Sequence, residues 1–137
     1  MSKKVIIFDN DEDILSLCSY ILTRLGWEVH TRNACENLIT TLENIQPTVI
    51  FIDNDIDDHG GVIATQTIKS HSALKTIPVI YFSGHDQIKI LAEQAGADTY
   101  LEKPFEIKDL EKVITSAYNL YNNNLTTTSD GEKTNIN

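Results

Sequence analysis

The sequence predicts an α/β fold with one five-stranded parallel sheet covered by helices on both faces. Five short strand-like segments, three of them apolar runs rich in valine and isoleucine, alternate with five segments whose apolar residues recur at helical spacing. Such short strand–helix alternation requires parallel strands, and right-handed crossovers then place helices on both faces of the sheet. The strand order 2-1-3-4-5 is one of the two common solutions for a doubly wound sheet, and we predict it for this chain.

The central strand is the clearest element, because the four apolar residues 49–52 run directly into Asp53. A continuous apolar run indicates a strand buried on both faces. Further strands are predicted at 5–8, 27–31, 78–82 and 98–101, and the alternating polarity of 27–31 is typical of a sheet edge. Helices are predicted before Gly26, over 33–45 with Asn33 as the capping residue, and over 62–71, 87–95 and 107–121. From Asn122 the composition turns polar, which predicts a folded domain of residues 1–121 and a disordered tail of residues 122–137.

Composition excludes several classes of partner. The chain has 137 residues and a formal charge of −9, which argues against sequence-independent binding of nucleic acid or of an anionic membrane surface. The sequence has no apolar run long enough to span a membrane and no signal-peptide pattern at its start. The two cysteines, Cys18 and Cys35, lack a metal-binding spacing. We therefore expect reduced thiols and a cytoplasmic protein.

Polar side chains follow four of the predicted strands, at the edge of the sheet where their carboxyl ends meet. These residues are Asp9 and Asn10 after the first strand, Asp53 after the third, Ser83 after the fourth and Lys103 after the fifth. This edge is where open α/β sheets bind ligands. Carboxylate and amide oxygens suit Mg²⁺, while a hydroxyl and an ammonium can hold phosphoryl oxygens. The set therefore predicts phosphoryl transfer to a carboxylate.

These strand ends, together with the segment 96–105 (GADTYLEKPF), resemble the receiver domain of two-component response regulators. The resemblance covers about residues 3–121 and implies the flavodoxin-like receiver fold, with the chemotaxis regulator as an architectural relative. It implies that Asp53 is the phospho-acceptor, that Ser83 and Lys103 act with it in catalysis, and that Lys103–Pro104 is a cis peptide. It also implies a conformational switch made of Ser83 and Tyr100. The implied Mg²⁺ site consists of Asp9, Asn10, Asp53 and the backbone carbonyl of Asp55.

The chain departs from the family pattern at the predicted site. Asn10 stands where a second acidic residue is usual, so the metal pocket has one negative charge fewer and a lower Mg²⁺ affinity is expected. The segment after Asp53 has Ile56-Asp57 in place of the usual Met-Pro, whereas Gly61 matches the family glycine. Asp53, Ser83 and Lys103 are all present, which favours a competent receiver.

Two other classes of function remain open from the sequence. The segment 5–11 (VIIFDND) also resembles the signature of haloacid-dehalogenase phosphatases, in which Asp9 would be the nucleophile and Asp11 the acid/base. That family needs a further acidic pair at a strand end downstream of the lysine, whereas Glu106 and Asp109 lie in a predicted helical stretch. The third class is a phosphorylation-independent interaction module. It is favoured only by Asn10, which replaces an acidic residue of the metal pocket.

The favoured interpretation is a stand-alone receiver that is not a metabolic enzyme and catalyses only its own phosphorylation and dephosphorylation. By the resemblance, the phosphoryl donor is a histidine kinase or a histidine phosphotransfer protein. Phosphorylation adds negative charge and acceptor oxygens at Asp53, which biases an existing conformational equilibrium. The surface formed by helix 4, strand 5 and helix 5 is then expected to bind an unknown downstream protein, with Ile90, Tyr100 and Ile107 as exposed contacts.

Overall fold

The computed structural model describes residues 2–57 and 60–136, with side chains described as far as Leu125. The strands are β1 (Lys4–Phe8), β2 (Glu28–Arg32), β3 (Val49–Asp53), β4 (Val79–Ser83) and β5 (Thr99–Glu102). They form one parallel sheet in the order β2-β1-β3-β4-β5, so the predicted fold class is confirmed. The order places β1 and β3 side by side at the point where the chain reverses its winding direction.

Helices cover both faces of this sheet because its inner strands are apolar on both sides. The helices are α1 (Glu12–Arg24), α2 (Leu38–Ile45), α3 (Gly60–Ser70), α4 (Ile88–Ala95) and α5 (Ile107–Ile136). Val5 and Ile7 pack with α1 and α5, while the alternate residues Ile6 and Phe8 pack with α2 and α3. No described helix is both long and apolar enough to cross a membrane.

Helix α2 begins later than predicted, so the assignment of Asn33 as its cap is wrong. The residue before the helix is Asn37, whose φ of 53° lies in the left-handed region and makes no side-chain cap. The preceding segment instead bonds to its neighbours: the Asn33 amide donates to Glu12 Oε1 (3.4 Å), and the Cys35 N–H donates to Asp57 Oδ2 (3.2 Å). These contacts hold residues 33–37 in a non-helical conformation.

Helix α5 continues past residue 121, where the sequence predicts its end. The continuation has tertiary partners, because the Asn124 side-chain amide donates to the carbonyl of Thr76 (3.0 Å). Tyr121 and Leu125, one turn apart, line a cavity at the base of the sheet together with Leu74. The predicted end of this helix is therefore wrong. The division into a domain of residues 1–121 and a tail of residues 122–137 stays a prediction.

The amino ends of β4 and β5 are tied together by Lys69 and Asp98, which we call the base clamp. Lys69 Nζ lies 2.6 Å from Asp98 Oδ2 and donates to the carbonyls of Lys75 (3.1 Å) and Ile77 (2.9 Å). Asp98 Oδ2 also accepts from the N–H of Val79 (2.8 Å). These bonds join the end of α3 to two strands, at the edge of the sheet opposite the carboxyl ends.

Candidate functional site

Three of the predicted site residues meet at the carboxyl ends of β1, β3 and β5. Asp9 directly follows β1 and is fully buried, and Asp53 is the last residue of β3 with 5% exposure. Lys103 follows β5 across the sheet, and its ammonium lies 2.6 Å from Asp9 Oδ2 and 2.8 Å from Asp53 Oδ1. The aliphatic stem runs beside β4, which places Nζ 4.4 Å from the centre of the Phe82 ring. The lysine thus bridges two buried carboxylates and supplies the positive charge that compensates them.

For each of Asp53 and Lys103, burial and the hydrogen bond between them shift the pKa in opposite directions. Burial raises the pKa of Asp53 above its ordinary 3.8; the hydrogen bond from Lys103 lowers the pKa and the charge of Asp9 raises it again. For Lys103, burial lowers the pKa, but the hydrogen bonds and charges of Asp53 and Asp9 outweigh it and the net shift is upward. The lysine therefore stays cationic, and the site carries two carboxylates against one ammonium.

Ser83 lies at the end of the neighbouring strand β4 and is 2% exposed. Its Oγ accepts a hydrogen bond from the N–H of His85 (2.9 Å), and its carbonyl accepts from the N–H of Lys103 (2.8 Å). Because Oγ acts as an acceptor in the first bond, its own hydrogen stays available to another oxygen. Tyr100 lies on β5 two residues before the strand ends, and 39% of its surface is exposed. The peptide bond between Lys103 and Pro104 is cis.

Asn10 and Asp55 lie at the mouth of the site and bond to each other. The side-chain amide nitrogen of Asn10 donates to the backbone carbonyl of Asp55 (3.2 Å). The N–H of Asp55 donates to Asp53 Oδ2 (3.0 Å), so this residue contacts both the end of β3 and the segment after β1. We call the described residues Asn54–Asp57 the β3–α3 loop.

The oxygen donors of this edge fit a hard divalent cation. Two carboxylates, an amide and a carbonyl converge, which is a set typical of Mg²⁺ that keeps several waters. In the observed arrangement Asn10 presents its nitrogen to Asp55, and half a turn of the amide would present its oxygen. Within residues 2–57 and 60–136 there is no cluster of three or more histidine, cysteine, aspartate or glutamate side chains suited to a metal ion. The fit therefore depends on Asn10 and on the Asp55 carbonyl.

Asp11 contacts this group of residues only through its backbone, whose N–H donates to Asp9 Oδ1 (2.9 Å), while its side chain caps a helix. Its Oδ1 accepts hydrogen bonds from the N–H groups of Asp13 (2.9 Å) and Ile14 (3.4 Å), which makes it the N-cap of α1. The pairing of Asp9 with Asp11 as nucleophile and acid/base, which the phosphatase alternative requires, has no support from these contacts.

Comparison with known proteins identifies the family of this chain. A family model of the response regulator receiver domain matches residues 5–115. The chain belongs to this family. Receiver domains are signalling domains of two-component systems, which partner with histidine kinases, and they are not metabolic enzymes. The haloacid-dehalogenase alternative has no support in these matches.

Curated relatives of this receiver include a protein of similar length and longer proteins. It is 29% identical over 109 residues to Protein PilG of Pseudomonas aeruginosa, with 78% of this chain and 81% of PilG covered. It is 26% identical over 110 residues to the alkaline phosphatase synthesis transcriptional regulatory protein PhoP of Bacillus subtilis, with 80% of this chain covered. The receiver spans 46% of the length of PhoP and 25% of the regulatory protein AtoC of Escherichia coli.

Solved structures agree in fold. Vibrio cholerae chemotaxis protein CheY4 is 22% identical with a TM-score of 0.78, covering 85% of this receiver and 99% of that chain. The receiver domain of the sensor histidine kinase PA1611 from Pseudomonas aeruginosa PAO1 is 18% identical with a TM-score of 0.78, covering 87% and 99% of the two chains. That domain was crystallised with a magnesium ion coordinated in its active-site cleft.

Sequence reasoning missed two residues beside this site, Asn54 and Tyr81. The hydroxyl of Tyr81, in β4, donates to Asn54 Oδ1, one residue after Asp53. The signal was present but easily overlooked, because a tyrosine inside an apolar strand is usually a core residue whose hydroxyl still needs a partner.

Proposed function

We propose that this receiver accepts a phosphoryl group on Asp53 from the phosphohistidine of a histidine kinase or of a histidine phosphotransfer protein. The observation that carries the proposal is the bridge of Lys103 to Asp53 and Asp9 at the carboxyl end of β3. A buried carboxylate with a cation beside it can bring a nucleophilic oxygen and a countercharge to one point.

In the proposed transfer, an oxygen of the Asp53 carboxylate bonds to phosphorus as the nitrogen–phosphorus bond of the donor breaks. The released imidazole takes up a proton from solvent. Lys103 balances the charge on the phosphoryl oxygens, and Ser83 donates its free hydroxyl hydrogen to one of them. Positioning and charge neutralisation supply most of the rate in such transfers.

Mg²⁺ is the cofactor we propose, held by Asp9, Asn10, Asp53 and the backbone carbonyl of Asp55. When bound it would supply further positive charge beside the transferred group. The magnesium ion in the PA1611 receiver domain and the oxygen donors at this edge support the assignment. Asn10 contributes to this set only by turning its amide oxygen inward and giving up its bond to Asp55.

The proposed output is a change at the surface made by α4, β5 and α5, with Ser83 and Tyr100 as the switch. A phosphoryl oxygen that accepts a hydrogen bond from the Ser83 hydroxyl would pull Ser83 toward Asp53. Ser83 is the last residue before the β4–α4 connection, so the connection would move with it. Ile90, Tyr100 and Ile107 are 51%, 39% and 63% exposed, so they are available to an unknown downstream protein. We propose a cytoplasmic protein without nucleic-acid or membrane contacts of its own, in keeping with its charge of −9.

Phosphodonor treatment tests the acceptor assignment. After incubation with acetyl phosphate and Mg²⁺, the intact mass should increase by one phosphoryl group, and hydroxylamine should trap the modification at Asp53. Asp53→Asn should abolish the gain, because an amide cannot act as this nucleophile.

Asp11→Asn is the matched control, since it neutralises a nearby carboxylate that caps α1. It should be labelled as fully as the unmodified sequence. Labelling of the Asp53→Asn protein would contradict the proposal. A folded protein that takes up no phosphoryl group would instead favour the phosphorylation-independent module, and turnover of a generic phosphomonoester would favour the phosphatase.

Asn10→Asp should tighten Mg²⁺ binding by about ten-fold, or about 1.4 kcal/mol. The substitution replaces a neutral ligand, whose nitrogen now faces the Asp55 carbonyl, by a charged oxygen donor. Calorimetry of Mg²⁺ binding to the unphosphorylated protein gives the affinity directly. In the presence of a chelator the same variant should melt at a lower temperature, because the new carboxylate faces Asp9 and Asp53.

Asn44→Asp is the control for the added charge, since Asn44 is exposed on α2, away from these donors. It should leave the Mg²⁺ affinity unchanged. An Asn10→Asp affinity equal to or weaker than that of the original sequence would show that residue 10 does not limit metal binding.

A further inference from the structure

The phenol of Tyr81 lies beneath helix α4. The residue is fully buried in the middle of β4 and packs in a cluster with Ile88, Ala92 and Ala95 of that helix. Of these four described residues, Tyr81 is the one with a polar side-chain atom. A buried hydroxyl normally has a hydrogen-bond partner, and the position of that partner decides what the residue can do.

The partner of Tyr81 belongs to the β3–α3 loop beside the proposed acceptor. The hydroxyl donates to Asn54 Oδ1, and Asn54 Nδ2 donates to Asp55 Oδ1 (3.1 Å). Asp55 contacts both Asp53 Oδ2, through its N–H, and the Asn10 amide, through its carbonyl. An unbroken series of hydrogen bonds therefore runs from the core under α4 to the carboxylate of Asp53.

The hydroxyl remains a donor throughout the ordinary pH range. Burial, together with the charges of Asp53 and Asp55, raises the pKa of Tyr81 to about 12. A phosphoryl group on Asp53 would add more negative charge on the same side and keep the phenol protonated. Backbone bonds also hold the loop at Asn54, whose N–H donates to the Phe82 carbonyl (3.1 Å) and whose carbonyl accepts from the N–H of Gly61 (2.8 Å). The side chain of Asn54 is thus the part of the residue that can change partner.

We propose that Tyr81 is a positioning residue, which fixes the β3–α3 loop through Asn54 and transmits a rearrangement of that loop to helix α4. This proposal rests on the proposed function, because the rearrangement is the response to a phosphoryl group on Asp53. The path is separate from the one through Ser83 and Tyr100, since it leaves the site by the β3–α3 loop and reaches α4 from beneath. Asn54, which is half-buried, is the end of the path near the site, and the fully buried Tyr81 is the end under α4.

Tyr81→Phe in the full chain tests the positioning role, because it removes the hydroxyl and keeps the ring that packs under α4. In the unphosphorylated protein, the substitution should shift the NMR signals of the Asn54 and Asn10 side-chain amides and of the Asp55 backbone amide. Asn54→Ala should shift the tyrosine ring signal of Tyr81 from the other end of the same bond. Unchanged Asn10 and Asp55 signals in Tyr81→Phe would overturn the proposal, since a purely structural hydroxyl would affect only its immediate surroundings.

Hydrogen exchange in α4 tests the transmission. Beryllofluoride with Mg²⁺, as a stable substitute for the phosphoryl group, should change the exchange rates of α4 amides in the original sequence. In Tyr81→Phe this change should be about five-fold smaller, at the low end of ordinary coupling between sites. A response of α4 equal to that of the original sequence would overturn the transmission.

Tyr20→Phe is the matched control, because Tyr20 lies on α1 with 64% exposure and loses the same hydroxyl. It should leave the site signals and the α4 response unchanged. Labelling by acetyl phosphate separates the two proposals. Should the original sequence take up no phosphoryl group, the proposed function fails, while the amide signals of the unphosphorylated protein still decide whether Tyr81 positions the loop.

Discussion

Lys103→Met should lower the free energy of unfolding at neutral pH by about 3 kcal/mol. The substitution keeps an unbranched side chain beside the Phe82 ring but removes the ammonium that lies between Asp9 and Asp53. Their side chains are only 1% and 7% exposed, so water cannot replace the lost cation. Two buried carboxylates then face each other without a countercharge.

The loss should depend on pH in one direction. The pKa of Asp53 is already raised above 3.8 by burial, and removal of the Lys103 hydrogen bond raises it further. When the pKa of a carboxyl is higher in the folded than in the unfolded protein, ionisation of that carboxyl destabilises the fold. The full loss applies above the folded pKa, and no loss remains below the unfolded pKa. The deficit should therefore be largest at neutral pH and shrink as the pH falls toward 3.8.

Denaturant unfolding of both proteins in a chelator, at neutral and acidic pH, measures this difference. Lys108→Met is the control, because Lys108 is 77% exposed and lies 3.5 Å from an exposed Glu106, a kind of pair that contributes little. It should change stability only slightly at either pH. A deficit of Lys103→Met that stays constant with pH would contradict the electrostatic explanation.

Gly61→Ala should destabilise the fold by about 2 kcal/mol, although alanine is the better helix former. A Cβ at residue 61, in the first turn of α3, would lie 2.5 Å from the backbone oxygen of Asp53 and 3.1 Å from the Asn54 Cα. Both neighbours are backbone atoms next to the site, so no side-chain rotation relieves the contact. The helix or the end of β3 must move, and phosphoryl uptake from acetyl phosphate should slow by at least about ten-fold because the acceptor is displaced.

Gly84→Ala is the comparison for stability, because a Cβ there would lie 3.5 Å from the Lys103 carbonyl, an ordinary contact. It should cost far less than Gly61→Ala in thermal unfolding. A more stable Gly61→Ala protein would mean that α3 shifts at no cost and that helix propensity decides the sign.

Much of this architecture was predictable because the pattern of apolar residues indicates which parts of each strand and helix are buried. The apolar run before Asp53 and the glycine at residue 96 fixed β3 and the end of α4, since each depends on residues adjacent in sequence. The strand ends that carry Asp9, Asp53 and Lys103 followed from the parallel order, because carboxyl ends must share one edge.

The errors lie where distant residues decide local structure. Asn33 has a capping pattern, yet it bonds to Glu12 and the helix begins after Asn37. The same limit hid the bond between Tyr81 and Asn54, which are 27 residues apart and meet only because β3 and β4 are neighbours. It also hid the orientation of the Asn10 amide, since a neutral amide can present either oxygen or nitrogen to a site.

The base clamp anchors the carboxyl end of helix α4 to the sheet. Asp98, which the clamp holds, also donates its N–H to the Val79 carbonyl (3.0 Å), and the Ala97 N–H returns to the Ala92 carbonyl (3.0 Å) at the end of α4. At the other end of the helix, the Gln87 side chain makes no cap, and the Gln87 N–H bonds to His85 Nδ1 (3.0 Å), two residues after Ser83. If α4 tilts about its anchored carboxyl end, its first turn moves farthest. A small rotation that starts near the site would therefore displace Ile88 more than Ala95.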